Sequence, residues 1–285
     1  MRPIAMLLIL LAFPAIAQEG ARVVATFKPV HGIVAAIMRG VASPALLIDT
    51  GASPHTYALT PSKRGLLEDA DLIVGIGPDM ETGIWDAIEE IDTAHLALME
   101  NGEAHQPDEP QIHAHEGDPH VWFDTHLVAE MAEHIAESLS EIDPGNASIY
   151  ASNLEKFATQ VEELEGEIAQ QLNGLQGVAV NYHDAFGHFA RQWNLGYDFI
   201  VPEPDMAPSA GKVREIRELA AAGVVKCMMT EPQFAPDLLV QLAGDYNLPV
   251  IEIDPEGALV PEGPDAWFVL MHETAAAFAA CLAPH

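Results

Sequence analysis

Positive charge is what this 285-residue chain has least of: 12 Lys and Arg stand against 43 Asp and Glu, a formal net charge of −31. Nucleic acid and anionic membranes both demand clustered cations, so both are disfavoured as partners, whereas cationic ligands are not. Cysteine is scarce as well. Only Cys227 and Cys281 occur, with no CxxC pair, which argues against a thiolate zinc site. Beyond the first seventeen residues no apolar run approaches the ~20 residues that a membrane-spanning helix needs. Low hydrophobicity is not among the deficits. With 49% hydrophobic and 19% charged residues, the chain is no disordered polyanion. The 13 His outnumber Lys and Arg together.

Met1-Arg2-Pro3 is followed by an apolar stretch from Ile4 to Ile16 and by small residues at Ala15 and Ala17. This reads as a secretory signal over residues 1–17 with cleavage after Ala17, which exports the remainder to an oxidising compartment. In that oxidising compartment the lone cysteine pair reads as a disulfide. A closure of this length is worth about 4 kcal/mol in the loop-entropy model.

Apolar runs alternate with helical stretches. Strands are predicted at 22–27, 45–49 and 71–76, and helices at 29–39 and 61–69, which implies a parallel sheet covered by helices. From Gly65 to Glu155 there are 22 acidic residues and no Lys or Arg. Within that interval, residues 101–119 lack periodicity, carry His105, His113 and His115, and read as a loop. A helix is predicted over 125–142. A second is predicted from Pro144 to Asn173, capped by Asp143, with Leu154, Phe157, Val161, Leu164, Ile168 and Leu172 as its apolar stripe. At 1.5 Å per residue this helix spans about 45 Å, a rod that joins two lobes. The alternation then resumes, with strands at 178–182, 199–201, 224–230 and 250–253 and helices at 184–193, 210–222, 236–246 and 264–282. The expected architecture is α/β, two lobes with mostly parallel sheets and a cleft between them. The expected divisions are an N-terminal lobe over 18–142, a connecting helix over 143–175 and a C-terminal lobe over 176–285.

Ligands of open α/β sheets bind beyond the carboxyl ends of the strands. His55 in Gly51-Ala-Ser-Pro-His-Thr-Tyr57, His120 in Asp118-Pro-His-Val-Trp-Phe-Asp124, His183 in Asn181-Tyr-His-Asp-Ala-Phe186 and Asp254 in Ile251-Glu-Ile-Asp-Pro-Glu256 all fall at such places. Three imidazoles and a carboxylate make a tetrahedral zinc set, here drawn from both lobes. Asp118, Asp124, Asp184 and Glu231 are candidates to orient the rings, because a ligating His donates its other N–H to a carboxylate or carbonyl. Trp122 and Tyr57 are candidates for the cleft wall, and His31 for a supporting contact. His126, His134 and His188 read as ordinary structural or solvated residues.

Those segments, with Thr230-Glu-Pro-Gln-Phe234 and Ile253-Asp-Pro-Glu-Gly257, resemble in order the signatures of the periplasmic zinc-binding proteins of ABC transporters, the ZnuA-like cluster A-I solute-binding proteins. The resemblance runs from about Val23 to Leu282. It implies two α/β lobes joined by a long helix and a metal held between them by His55, His120, His183 and Asp254. It further implies a Cys227–Cys281 disulfide and Zn²⁺ carried as a transported ligand. The implied partners are the inner-membrane ABC permease of a zinc importer and a periplasmic zinc metallochaperone, with the protein itself a monomer. The chain departs from the pattern in its short acidic loop and in Glu256, where relatives often have Leu, which makes Glu256 a rival or helper of Asp254. Three imidazoles favour Zn²⁺ over the harder Mn²⁺. A zinc hydrolase is the competing reading, but neither an HExxH helix nor a GxSxG elbow is present. A manganese carrier or adhesin of the same fold is the other.

Overall fold

The structure, a computed structural model, describes residues 20–48, 51–100, 103–104, 117–234 and 237–283. Residues 1–17, read from the sequence as an export signal, and His105, His113 and His115 lie outside them. Two open, fully parallel four-stranded sheets form the two lobes. The first contains β1 (Val23–Ala25), β2 (Ala45–Leu46), β3 (Leu72–Gly75) and β4 (His95–Ala97), in the order β2-β1-β3-β4. Its central strands are buried along their whole length, as expected of a parallel sheet covered on both faces. Val23 pairs with Leu72, and Val24 with Ala45. A short antiparallel ribbon, β5 (Met99–Glu100) and β6 (Glu103–Ala104), follows. The second sheet contains β7 (Val178–His183), β8 (Gly196–Val201), β9 (Val225–Thr230) and β10 (Val250–Glu252), in the order β10-β9-β7-β8. Its strand order reverses between β7 and β9, since β8 is added on one side of β7 and β9 on the other, and at such a place the loops of an open sheet diverge and leave a crevice.

Around these sheets lie α1 (Lys28–Ile37), α2 (Pro61–Glu68), α3 (Trp85–Glu89), α4 (Thr125–Ile142), α5 (Ala147–Leu172), α6 (Gly187–Gln192), α7 (Ala210–Ala221), α8 (Asp237–Tyr246) and α9 (Ala266–Leu282). The α3–β4 pair was not apparent in the sequence. Its strand is short, and its outer residue, His95, is exposed.

The long helix is shorter than its periodicity suggested. α5 begins at Ala147, three residues beyond Pro144, and its 26 residues span about 39 Å. Asp143 does not cap it. Its carboxylate instead accepts from Asn146 Nδ2 and Tyr150 OH, each at 2.8 Å, and closes the turn that separates α4 from α5. Nor is α5 a free-standing rod. Tyr150, Phe157, Val161, Leu164, Ile168 and Leu172 are buried, and the helix packs on α1, α4 and α9. Phe157 meets Trp267 and Phe268 of α9 with ring centroids 5.6 and 5.1 Å apart. α1 is buried on every side except at Lys28. Gly32 lets α9 approach it, since a Cβ there would lie 2.9 Å from the Trp267 nitrogen.

One apolar core therefore runs from the first sheet through α1, α5 and α9 to β7 and β9. A smaller second core fills the far side of the second sheet, beneath α7 and α8. Cys227 of β9 and Cys281 of α9 form the disulfide, with Cα atoms 5.3 Å apart. It fastens the helix shared by both lobes to the C-terminal sheet. No helix among the described residues is long and apolar enough to cross a membrane.

Candidate metal centre

His183 is the last residue of β7, and Glu231 follows the end of β9. Both therefore flank the switch point of the second sheet. His183 Nδ1 donates to Glu231 Oε1 at 2.8 Å, and Asn181 Nδ2 donates to the same oxygen at 2.9 Å. Two donors on one carboxylate oxygen hold the ring in a single orientation, with Nε2 turned outward.

His120 comes from the other lobe. It precedes a 3₁₀ turn, Val121–Phe123, that leads into α4. Its Nδ1 donates to Asp118 Oδ1 at 2.9 Å, and its backbone N–H reaches the same oxygen at 3.1 Å. Burial works against charge on Asp118. The hydrogen bond and attraction from His120, with His188 nearby, outweigh it and hold this carboxyl below the usual carboxylate range. The acid is thus an acceptor, and the imidazole proton sits on Nδ1. Burial is also the main force that lowers the His120 pKa.

His55 lies in the one-turn 3₁₀ helix Pro54–Thr56, beyond β2. Thr82 Oγ1 donates to its carbonyl at 2.9 Å. Glu203, from the C-terminal lobe, lies 3.4 Å from its Nδ1. Burial, then the neighbouring His120 and His183, lowers its pKa to about 3, so the ring is neutral at physiological pH.

The metal-facing atoms of His55, His120 and His183 all lie within 4.8 Å of one another, with His120 and His183 buried. The ring centroids are 5.3, 5.4 and 6.1 Å apart. His55 Nε2 and His120 Nε2 approach to 3.4 Å. A tetrahedral zinc ion with Zn–N bonds near 2.0–2.1 Å would set its ligand nitrogens about 3.3 Å apart. With each Nδ1 facing a carboxylate, the nitrogens that converge are lone-pair acceptors, and a cation between them relieves their mutual repulsion. The donor set therefore fits a divalent ion of zinc's preferences.

Asp254 does not join this group. Its Oδ1 accepts from Gln233 Nε2 at 3.0 Å and from Glu256 N–H at 3.1 Å, and its Oδ2 accepts from Leu259 N–H at 3.2 Å. All three contacts brace the loop after β10, the work of an Asp that starts a turn. Glu256 is also outside the group. Its carboxyl is buried, and burial pushes its pKa up to about 8. Of the four acids expected to orient the rings, Asp118 and Glu231 do so. Asp124 is the N-cap of α4 and accepts from the N–H groups of His126 and Leu127. Asp184, raised to about 6 by burial, lies beside Asp118 and Arg191 and touches no ring of the cluster through a hydrogen bond. His31 bonds the Pro44 carbonyl at 3.1 Å, remote from the group. Trp122 is fully buried, 5.1 Å from the His120 ring. Glu203 was missed. The only signal for it was a carboxylate between two prolines, just past a predicted strand.

Two α/β lobes with imidazoles from both converging beyond the strand ends define a two-lobed metal-binding protein. Residues 23–281 match the family described as ZnuA, zinc-uptake complex component A, periplasmic, and the chain belongs to that family. It is 28% identical over 290 residues to the high-affinity zinc uptake system protein ZnuA of Yersinia pestis, covering 92% of this chain and 91% of the relative. It is 30% identical over 309 residues to the protein of the same name from Paracoccus denitrificans, with 95% and 94% covered. Among solved structures, a ZnuA crystal structure superposes with a TM-score of 0.79 at 24% identity, over 93% of this chain and all of that one. The periplasmic zinc-binding protein TroA of Treponema pallidum does so at 0.80 and 22%, with 93% and 100% covered.

Proposed function

We infer that the protein captures Zn²⁺ between its lobes and delivers it to an inner-membrane ABC permease for import. A single observation carries this reading. Three imidazoles from two lobes present bare Nε2 atoms to one point, while carboxylates face their other nitrogens. Nitrogen donors select zinc over manganese, which prefers carboxylate and water. The names of the relatives agree. The ligand set proposed is His55, His120 and His183, with solvent at the fourth position in this conformation.

The ion is cargo. Asp118 and Glu231 hold imidazole protons, so neither is placed as a general base toward a metal-bound water, which a zinc hydrolase requires. Residues 1–17 are proposed as the export signal. A dedicated metallochaperone and a monomeric state belong to the same reading.

The test is metal analysis and competitive zinc titration of the mature protein beside His183→Ala. Wild type should hold about one zinc per chain, and the variant should bind it more than tenfold more weakly. Equal affinity in the two proteins would remove His183 from the site, and manganese as the metal retained would overturn the choice of ion.

A further inference from the structure

His188 falls outside the three-histidine group, yet it is buried, with 3% of its surface exposed, and its ring faces Asp118. It sits on α6, in the C-terminal lobe, whereas Asp118 belongs to the segment that leads into α4. His188 Nε2 lies 3.1 Å from the Asp118 carbonyl oxygen and 3.6 Å from Asp118 Oδ2. A carbonyl only accepts, so Nε2 carries the proton. Arg191, one turn further along α6, places its guanidinium 3.5 Å from the same Oδ2. Packing here is close. A Cβ on Gly187 would come within 2.9 Å of both Asp118 Oδ2 and Arg191. The other oxygen of Asp118 holds both the backbone N–H and Nδ1 of His120.

We propose that His188 is a positioning residue for zinc capture: it reaches across the lobe boundary, fixes Asp118, and through Asp118 sets the ring orientation and tautomer of His120. The adjoining 3₁₀ turn is held from the same lobe. Trp122 Nε1 donates to the Pro255 carbonyl, and Trp267 Nε1 donates to the Trp122 carbonyl. His120 is therefore ordered against the C-terminal lobe, which also carries His183, before any ion arrives. Among the described residues, the hydrogen-bonding approach to His55 Nδ1 from the C-terminal lobe is that of Glu203, at 3.4 Å. Two ligands are pre-set across the cleft and the third completes the site. Supporting partners of this kind are worth about tenfold to a hundredfold in metal affinity.

The proposal rests on the zinc reading above, but the first part of its test needs no metal. In metal-free ¹⁵N-labelled protein, long-range imidazole ¹H–¹⁵N correlations report which nitrogen of each ring is protonated. Wild type should show His188 protonated at Nε2 and His120 at Nδ1. In His188→Phe, His120 should become a mixture of tautomers while His183 keeps its Nδ1 proton, and zinc affinity should fall by about tenfold or more. His188→Gln, whose amide N–H replaces the donor, should restore the His120 tautomer and bring affinity within about threefold of wild type. An unchanged His120 tautomer together with unchanged zinc affinity in His188→Phe would overturn the proposal. So would a wild-type His188 with a bare Nε2, which decides the matter even if the Phe variant does not fold. A wild type that binds no zinc at all would sink the reading of the site, and the metal-free tautomers would still decide the role of His188.

Discussion

Each ring in the cluster has two nitrogens, and the protein uses both. Nδ1 faces Asp118, Glu231 or Glu203, which leaves Nε2 for the ion. Fixing the tautomer in advance removes the need to move a proton within the ring when metal binds, and the carboxylate raises the basicity of the ligand. Asp254 illustrates the opposite outcome. Its residue type and its place after a strand suited a ligand, but three neighbouring donors occupy it. Asp254→Asn should therefore leave zinc affinity within about threefold, as read by chelator competition. A loss of tenfold or more would show that the carboxylate leaves its loop to join the ion.

At the scale of elements, the buried carboxyl of Glu81 holds the carboxyl ends of β1 and β3 together. It accepts from Thr26 Oγ1 at 2.5 Å and from the N–H groups of Ile76 and Gly77 at 3.1 and 2.8 Å. Thr82, the next residue, is the donor to the His55 carbonyl, so this clamp also supports the loop that carries His55. Burial raises the pKa of Glu81 from 4.5 to about 7. The folded state thus holds a proton that the unfolded state releases at lower pH, and this contribution to stability is present below about pH 4.5 and lost as pH rises toward 7. Compared by urea unfolding of the metal-free proteins, the advantage of wild type over Glu81→Gln should narrow between these limits. A gap that is constant with pH would mean that Glu81 is not protonated by burial.

For the whole molecule, the continuous core through α1, α5 and α9 means that the lobes share one large interior, with a smaller separate core only beneath α7 and α8. The disulfide from α9 to β9 adds a covalent tie to that shared helix. Metal-free protein should melt in one calorimetric transition. Zinc, which binds the folded form alone, should move that transition up, by the equivalent of about 2.7 kcal/mol at a free concentration a hundredfold above Kd. Two separate transitions, or no shift with zinc, would contradict this account.

Much of this was legible in the linear chain. The buried strands at 23–25, 72–75 and 178–183 announced themselves as apolar runs, and the helix predicted over 125–142 coincides with α4, although the capping role of Asp124 emerged only from the structure. Local physics writes such features into neighbouring residues. The three histidines that the structure brings together were legible as residues near strand ends, and the order of their motifs along the chain carried the family resemblance. What sequence could not decide was which polar groups meet across the fold. Glu203 and His188 meet their partners only when the second lobe lies against the first, and Asp254 is bonded by Gln233 and Leu259 and stands outside the three-histidine group. Those partners are set by tertiary packing, because a hydrogen bond is decided by ångströms of distance and not by separation along the chain.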